Sequence, residues 1–244
     1  DGSNYMKPYV IKEVDGVKVG ILGLTTPNIP IWDGDKVDSL NFHDMSKIAE
    51  KYIPQMQDEG ADVIVGLAHS GLEGRHHESG GDKIRKVVEN NPEITVVLTG
   101  HDHEKVNTIV NGVLVAAPED MGNQVVRVDL KLNENDGEWE VTDKKARHYE
   151  TYEYEADQGV LDIAKKYHDE TVEYVNTPIG RATGDFTPGN SVKGIPAAQV
   201  QDTALVDLIN RVQLEYTDAD VSAAALFTTD ATIDEGPVSI KDAA

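Results

Sequence analysis

The chain has 244 residues, 44 acidic and 22 basic side chains for a formal charge of −22, and no cysteine. That length allows one or two domains with a real core, and 39% apolar with 27% charged residues argues against disorder, collagen and coiled coil. The missing cysteine excludes a disulfide scaffold, a thiolate nucleophile and Cys-ligated zinc, while a pI near 4.6 argues against long nucleic acid or an anionic membrane as partner.

Apolar runs such as Val63 to Ala68 and Val113 to Ala117 are strand-length, far short of the roughly 18 residues of a membrane span. The chain opens with Asp1 and shows no signal-peptide pattern, so an excised or processed piece is expected. Residues 17–24, VKVGILGL, predict a strand with the turn-rich exit loop TTPNIP. A helix is expected from about Asp44 to Glu59, with Asp44 or Ser46 as cap and Ile48, Ala49, Tyr52, Ile53 and Met56 at helical spacing; Pro54 weakens it and Gly60 stops it. ADVIVGLAHSG then reads as a buried strand delivering His69 and Ser70 at its carboxyl end.

Residues 82–90 predict a short helix, and Ile94 to Leu98 a second buried strand followed by Gly100, His101, Asp102 and His103. Antiparallel strands follow, with Asn111-Gly112 and Asp136-Gly137 as hairpin turns. Strands alternating with helices and then giving way to hairpins predict a layered α/β sheet with an antiparallel portion. A helix over Gln158 to Val175 comes next, then a Pro/Gly-rich stretch from Thr177 through Pro196, a helix from Ala198 to Tyr216, the apolar run Ala223 to Phe227 and a hairpin-like EGPVSI. The last part reads as an incomplete second domain.

The chemistry concentrates where two buried strands end in histidine, LAHSG at 67–71 and LTGHDH at 98–103. Loops converge at the carboxyl ends of strands in open α/β sheets. His69, His101 and His103 are therefore candidate ligands of a shared metal such as Zn, Mn, Fe or Co, and three imidazoles without thiolate suit a hydrolytic site better than a closed structural one. The bland alternative is that each is an ordinary strand-end histidine. His43, His76, His77, His148 and His168 read as solvated, with His76-His77 the only pair worth testing, and GDFTPG at 184–189 reads as a turn. If the trio needs further ligands from this chain, Asp33, Asp102, Glu104 and Asp120 are the nearest carboxylates in motif context.

The succession GILGLTTPNIPIWD (20–33), DVIVGLAHSG (62–71), VVLTGHDH (96–103) and QDTALVDLINRVQ (201–213) resembles calcineurin-like metallophosphoesterases of the group that holds secreted 5′-nucleotidases and 2′,3′-cyclic-nucleotide 2′-phosphodiesterase/3′-nucleotidases. PNIPIWD is somewhat closer to the cyclic-phosphodiesterase branch. The resemblance implies an α/β metallophosphoesterase sandwich whose second half is residues 1–150, a connecting segment and helix over 151–176, and the beginning of a nucleotidase C-terminal α+β domain over 177–244. It implies two divalent metal ions (Mn, Zn, Fe, Co or Mg), with His69 and His101 on one and His103 on the other. It further implies a small nucleotide substrate and an extracellular, cell-wall or periplasmic setting.

The group's Asp-x-His and Gly-Asn-His elements, which supply the other ligands and the catalytic His, occur nowhere in the sequence. The resemblance therefore places them before Asp1, assigns no catalytic residue here and attaches the activity to a longer parent protein. Two other readings stay open. One is a non-catalytic surface or binding module on a degenerate scaffold. The other is a different metallophosphoesterase chemistry, on sulfur compounds or lipid-linked pyrophosphate, though the C-terminal segment disfavours lipid substrates.

Overall fold

The computed structural model describes residues 3–74, 83–224 and 228–243. The chain divides into two compact units, Asp1–Glu155 and Ala156–Ala244.

The first unit contains β1 (Tyr9–Val14), β2 (Val17–Thr25), α1 (Ile29–Asp33), α2 (Met45–Asp58), β3 (Val63–His69), α3 (Ile84–Asn90), β4 (Val96–Leu98), β5 (Val106–Val110), β6 (Val113–Ala117), β7 (Gln124–Asn135) and β8 (Glu138–Glu150). Six strands form one sheet in the order β1-β2-β3-β4-β6-β5. Its four central strands are parallel, and β1 and β5 are antiparallel edges. The register sets Thr25 beside His69 and Leu98 beside both Leu67 and Ala116, so the parallel strands finish along one edge. The mixed α/β class expected from the alternation is the one observed.

Helices α2 and α3 cover one face. Leu22, Leu24, Ile64, Ala68, Val97, Val113 and Val115 of the sheet pack against Ala49, Ile53, Met56, Ile84, Val87 and Val88. Gly20 makes the close approach of α2 possible, since a Cβ there would lie 2.5 Å from Met56 Cε. Asp44 caps α2 by accepting from the Ser46 and Lys47 amides at 2.9 and 3.4 Å, and Pro54 is accommodated within the helix. On the other face β8 meets the β5–β6 end, where Asn107 Nδ2 donates to Ala146 O at 3.0 Å. Leu67 on β3 remains 55% exposed.

Strand β1 is not among the expected elements. Asp15 and Gly16 both have positive φ, 51° and 84°, and make a two-residue hairpin turn that pairs residues 9–14 with β2. Both expected Asn-Gly and Asp-Gly turns are present, with φ of 48° and 82° at Asn111-Gly112 and 54° and 85° at Asp136-Gly137. Besides pairing with β5, β6 also joins β4 in parallel. The second buried strand is shorter than expected because Ile94 N–H closes a turn onto Asn91 O at 3.2 Å.

In the second unit, α4 (Gln158–Val175) occupies the expected range and starts where Asp157 accepts from the Val160 amide at 3.0 Å. Strand β9 (Pro178–Ala182) is followed by α5 (Ala204–Glu215), β10 (Gly236–Ser239) and α6 (Ile240–Ala243); β9 and β10 pair antiparallel, and Phe186 of the GDFTPG stretch bridges to Ile233. The expected helix from Ala198 is corrected. Only residues 197–199 make a 3-10 turn, and Thr203, extended at φ −134°, opens the α-helix proper. Part of the run to Phe227 lies outside the described residues. No described helix is long and apolar enough to cross a membrane.

Candidate metal centre

Thr26 N–H donates to His69 O at 3.0 Å, tying the end of β3 to the loop after β2. The Thr99 hydroxyl, just past β4, donates to the carbonyl of buried Ser70. The two strand ends are thus held side by side before their histidines diverge from the sheet. There, Nδ1 of His101 stands 3.2 Å from Nε2 of His69, with ring centroids 4.9 Å apart and planes at 65°. From α1, Trp32 sets its ring at 65° to that of His101, with centroids 5.2 Å apart.

The loop after β4 is bent tightly. His101 and His103 have φ of 81° and 56°, left-handed values uncommon outside glycine, though histidine is among the residues that tolerate them. Between them, Asp102 packs on Gly71, where a Cβ would fall 1.5 Å from Asp102 Oδ2; Asp102 Oδ1 is buried with no hydrogen-bond partner among the described residues. His103 does not join the other two imidazoles. Its Nδ1 lies 3.3 Å from Oδ2 of Asp120, beyond the end of β6. Among the described residues, no group of three or more His, Asp or Glu is placed to hold a metal ion.

The facing pair fits a divalent ion in its donor chemistry and spacing. Two ring nitrogens on one tetrahedral ion, each bonded at about 2.0–2.1 Å, stand about 3.3 Å apart, close to the 3.2 Å between these two. In the metal-free protein the same approach is satisfied when one ring N–H donates to the other ring. Of the four carboxylates considered as further ligands, Asp120 contacts His103 and Asp102 packs on Gly71.

His148, read as solvated, is half-buried and places Nε2 at 2.8 Å from Ala117 O, supporting the end of β6. His43 and His168 are exposed, as expected, and His76-His77 falls outside the described residues. Trp32 was legible only as part of a motif. An aromatic residue in the exit loop of a parallel strand is the signal that would have singled it out.

Residues 4–105 match the calcineurin-like phosphoesterase family. A 2′,3′-cyclic-nucleotide 2′-phosphodiesterase/3′-nucleotidase of Haemophilus influenzae is 31% identical over 88% of this chain and 36% of its own length. The calcineurin-like phosphoesterase YfkN of Bacillus subtilis superposes with a TM-score of 0.65 at 30% identity, over 72% of this chain and 61% of that one. A putative 5′-nucleotidase of Staphylococcus aureus, solved in complex with alpha-ketoglutarate, gives 0.75 at 26% identity, over 96% of this chain and 46% of that one. The chain spans 36% of the length of the curated relatives it first matches. Residues 4–105, which run from before β1 through the strand-end histidines, therefore belong to the calcineurin-like phosphoesterase family.

Proposed function

We propose that this chain is part of a metal-dependent hydrolase of nucleoside phosphates, either a 5′-nucleotidase or a 2′,3′-cyclic-nucleotide 2′-phosphodiesterase/3′-nucleotidase. In this reading His69 and His101 ligate one ion of a divalent pair (Mn, Zn, Fe, Co or Mg) and His103 ligates the other. The observation that carries it is the 3.2 Å approach of His69 and His101 at the carboxyl edge of a parallel sheet. When bound, two such ions clamp a phosphoryl group, acidify a water and offset charge on the oxygens around phosphorus. They would also let a protein of charge −22 hold an anion.

The contribution of this chain is positional. Thr26, Thr99 and the left-handed turns at His101 and His103 hold the imidazoles before any ligand arrives, and Trp32 walls the outer side of His101. The proposal extends to the boundaries 1–150, 151–176 and 177–244, with the last segment beginning a nucleotidase C-terminal domain, and to an exported setting. A small nucleotide is its substrate.

The test is phosphate release from 5′-mononucleotides and 2′,3′-cyclic nucleotides by the full-length parent protein with Mn²⁺ or Zn²⁺. His101→Ala is expected to lower kcat by roughly a hundredfold or more. A variant that keeps its activity sinks the assignment. A second reading is a non-catalytic binding module on this scaffold. That reading expects no turnover by the full-length protein with any of the metals.

A further inference from the structure

Asp120 is held by an unusual turn. Asn123 N–H closes onto Asp120 O at 3.1 Å, and the two residues between them, Met121 and Gly122, have φ of 55° and 72°. Positive φ at both central positions marks a primed turn, which favours Gly, Asn or Asp there. Methionine at the first is conformationally unfavourable, and its side chain is 90% exposed, so packing does not account for it. The turn is nonetheless tied down. The Thr151 hydroxyl donates to Gly122 O or Asn123 O at 2.8 and 3.0 Å, and Thr151 N–H donates to Asn123 O at 2.9 Å. Just before it, His148 secures Ala117 O.

What this anchored turn presents is one carboxylate, 3.3 Å from Nδ1 of His103, which itself sits on left-handed backbone. A carboxylate only accepts hydrogen bonds, so a neutral imidazole that bonds it does so through the nitrogen that carries hydrogen. We infer that Asp120 is a positioning residue for His103: it accepts the Nδ1–H hydrogen bond, fixes that tautomer and leaves the Nε2 lone pair free to bind a ligand. An imidazole whose far nitrogen is engaged by a carboxylate is also oriented and made a better donor. The role of His103 as a metal ligand rests on the function proposed above, whereas its tautomer is a property of the metal-free chain.

The experiment is long-range ¹H–¹⁵N NMR of the metal-free, labelled 244-residue chain at a pH where His103 is neutral, with the His103 resonance assigned by its loss in His103→Gln. The expected result is an Nδ1–H tautomer in the wild type, its retention in Asp120→Asn, whose carbonyl still accepts, and reversion in Asp120→Ala to the Nε2–H form that free imidazole prefers. An Nε2–H tautomer in the wild type, or one unchanged in Asp120→Ala, overturns the assignment. In a second arm, Zn²⁺ is titrated calorimetrically into the same proteins, and Asp120→Ala is expected to weaken binding by roughly ten- to a hundredfold. Unchanged affinity despite a flipped tautomer overturns the link to metal. If the wild type binds no Zn²⁺ yet holds the Nδ1–H tautomer, the link to metal fails for this chain and the positioning role of Asp120 stands.

Discussion

Gly71 is glycine for want of space. Its Cβ would collide with Asp102 Oδ2 at 1.5 Å, whereas its own φ is not among the positive values that require glycine. Asp102 in turn buries one carboxylate oxygen without a partner among the described residues, and a buried polar atom left so costs about 1–3 kcal/mol. Two linked consequences follow for chemical denaturation of the metal-free chain. Gly71→Ala should destabilise by about 1–3 kcal/mol, because the short Asp102 side chain must be displaced. Asp102→Ala should be neutral or mildly stabilising, and the double variant should recover most of the Gly71→Ala loss, a coupling of about 1–2 kcal/mol. If Gly71→Ala remains equally costly in the Asp102→Ala background, the clash is not what keeps position 71 glycine. At this scale the sequence was half legible. Histidine after an apolar run, with glycine alongside, marked His69, His101 and His103. The contacts that fix them, Asp102 on Gly71 and Asp120 against His103, join residues from separate loops and leave no periodic trace.

Elements were legible where the local signal agreed with the tertiary role. α2 is the clearest case, since an acidic cap and a helical apolar stripe both read directly, and the packing used both. The structure adds Lys86 from α3, whose ammonium bonds Asp44 Oδ2 at 2.6 Å and ties the two helices together. Burial pushes the Asp44 carboxyl up, but Lys86 and the amides of Lys47 and Ser46 outweigh it and hold the group below the ordinary carboxylate range. A carboxylate depressed in the folded state contributes stability that is fully present above its unfolded value, about 3.9. That contribution disappears as pH falls through the lower folded value. Asp44→Ala should therefore cost about 1–2 kcal/mol at neutral pH, and its gap from wild type should narrow only below about pH 4. A gap already closed at pH 5, in urea midpoints followed against pH, would show that Asp44 is not held as described. Where local signal and role diverge, the element is not legible. β1 carries polar Lys12 and Glu13 on an exposed edge, so its pairing depends on the Asp15-Gly16 turn more than on its own apolar pattern. The start of α5 was misplaced because Ala197 to Gln199 is helix-compatible in composition, yet the chain is extended at Thr203.

Over the whole molecule, burial is distributed very unevenly between the two units. Every residue of the main apolar cluster lies between Leu22 and Val115. Among described residues 156–243, the buried apolar side chains are Ala182, Ala197 and Ile233, and neither α4 nor α5 contains a buried residue. Most helical stability in proteins comes from packing an apolar face, and α4 and α5 each keep such a face largely in solvent. Alternation of strands and helices made the first unit's class readable, whereas the second offered helices and turns with no pattern of facing apolar residues to say what they pack on. Backbone opening should follow the same division. Amides of β3, β4 and β6 lie in the centre of a sheet beneath two helices and should exchange only through global unfolding, while those of α4 and α5 open locally. Hydrogen exchange of the 244-residue chain followed by mass spectrometry should thus give protection in β3 and β6 at least roughly a hundredfold above that in α4. Equal protection would mean that the helices of residues 156–243 gain their stability from contacts other than the few apolar groups buried there.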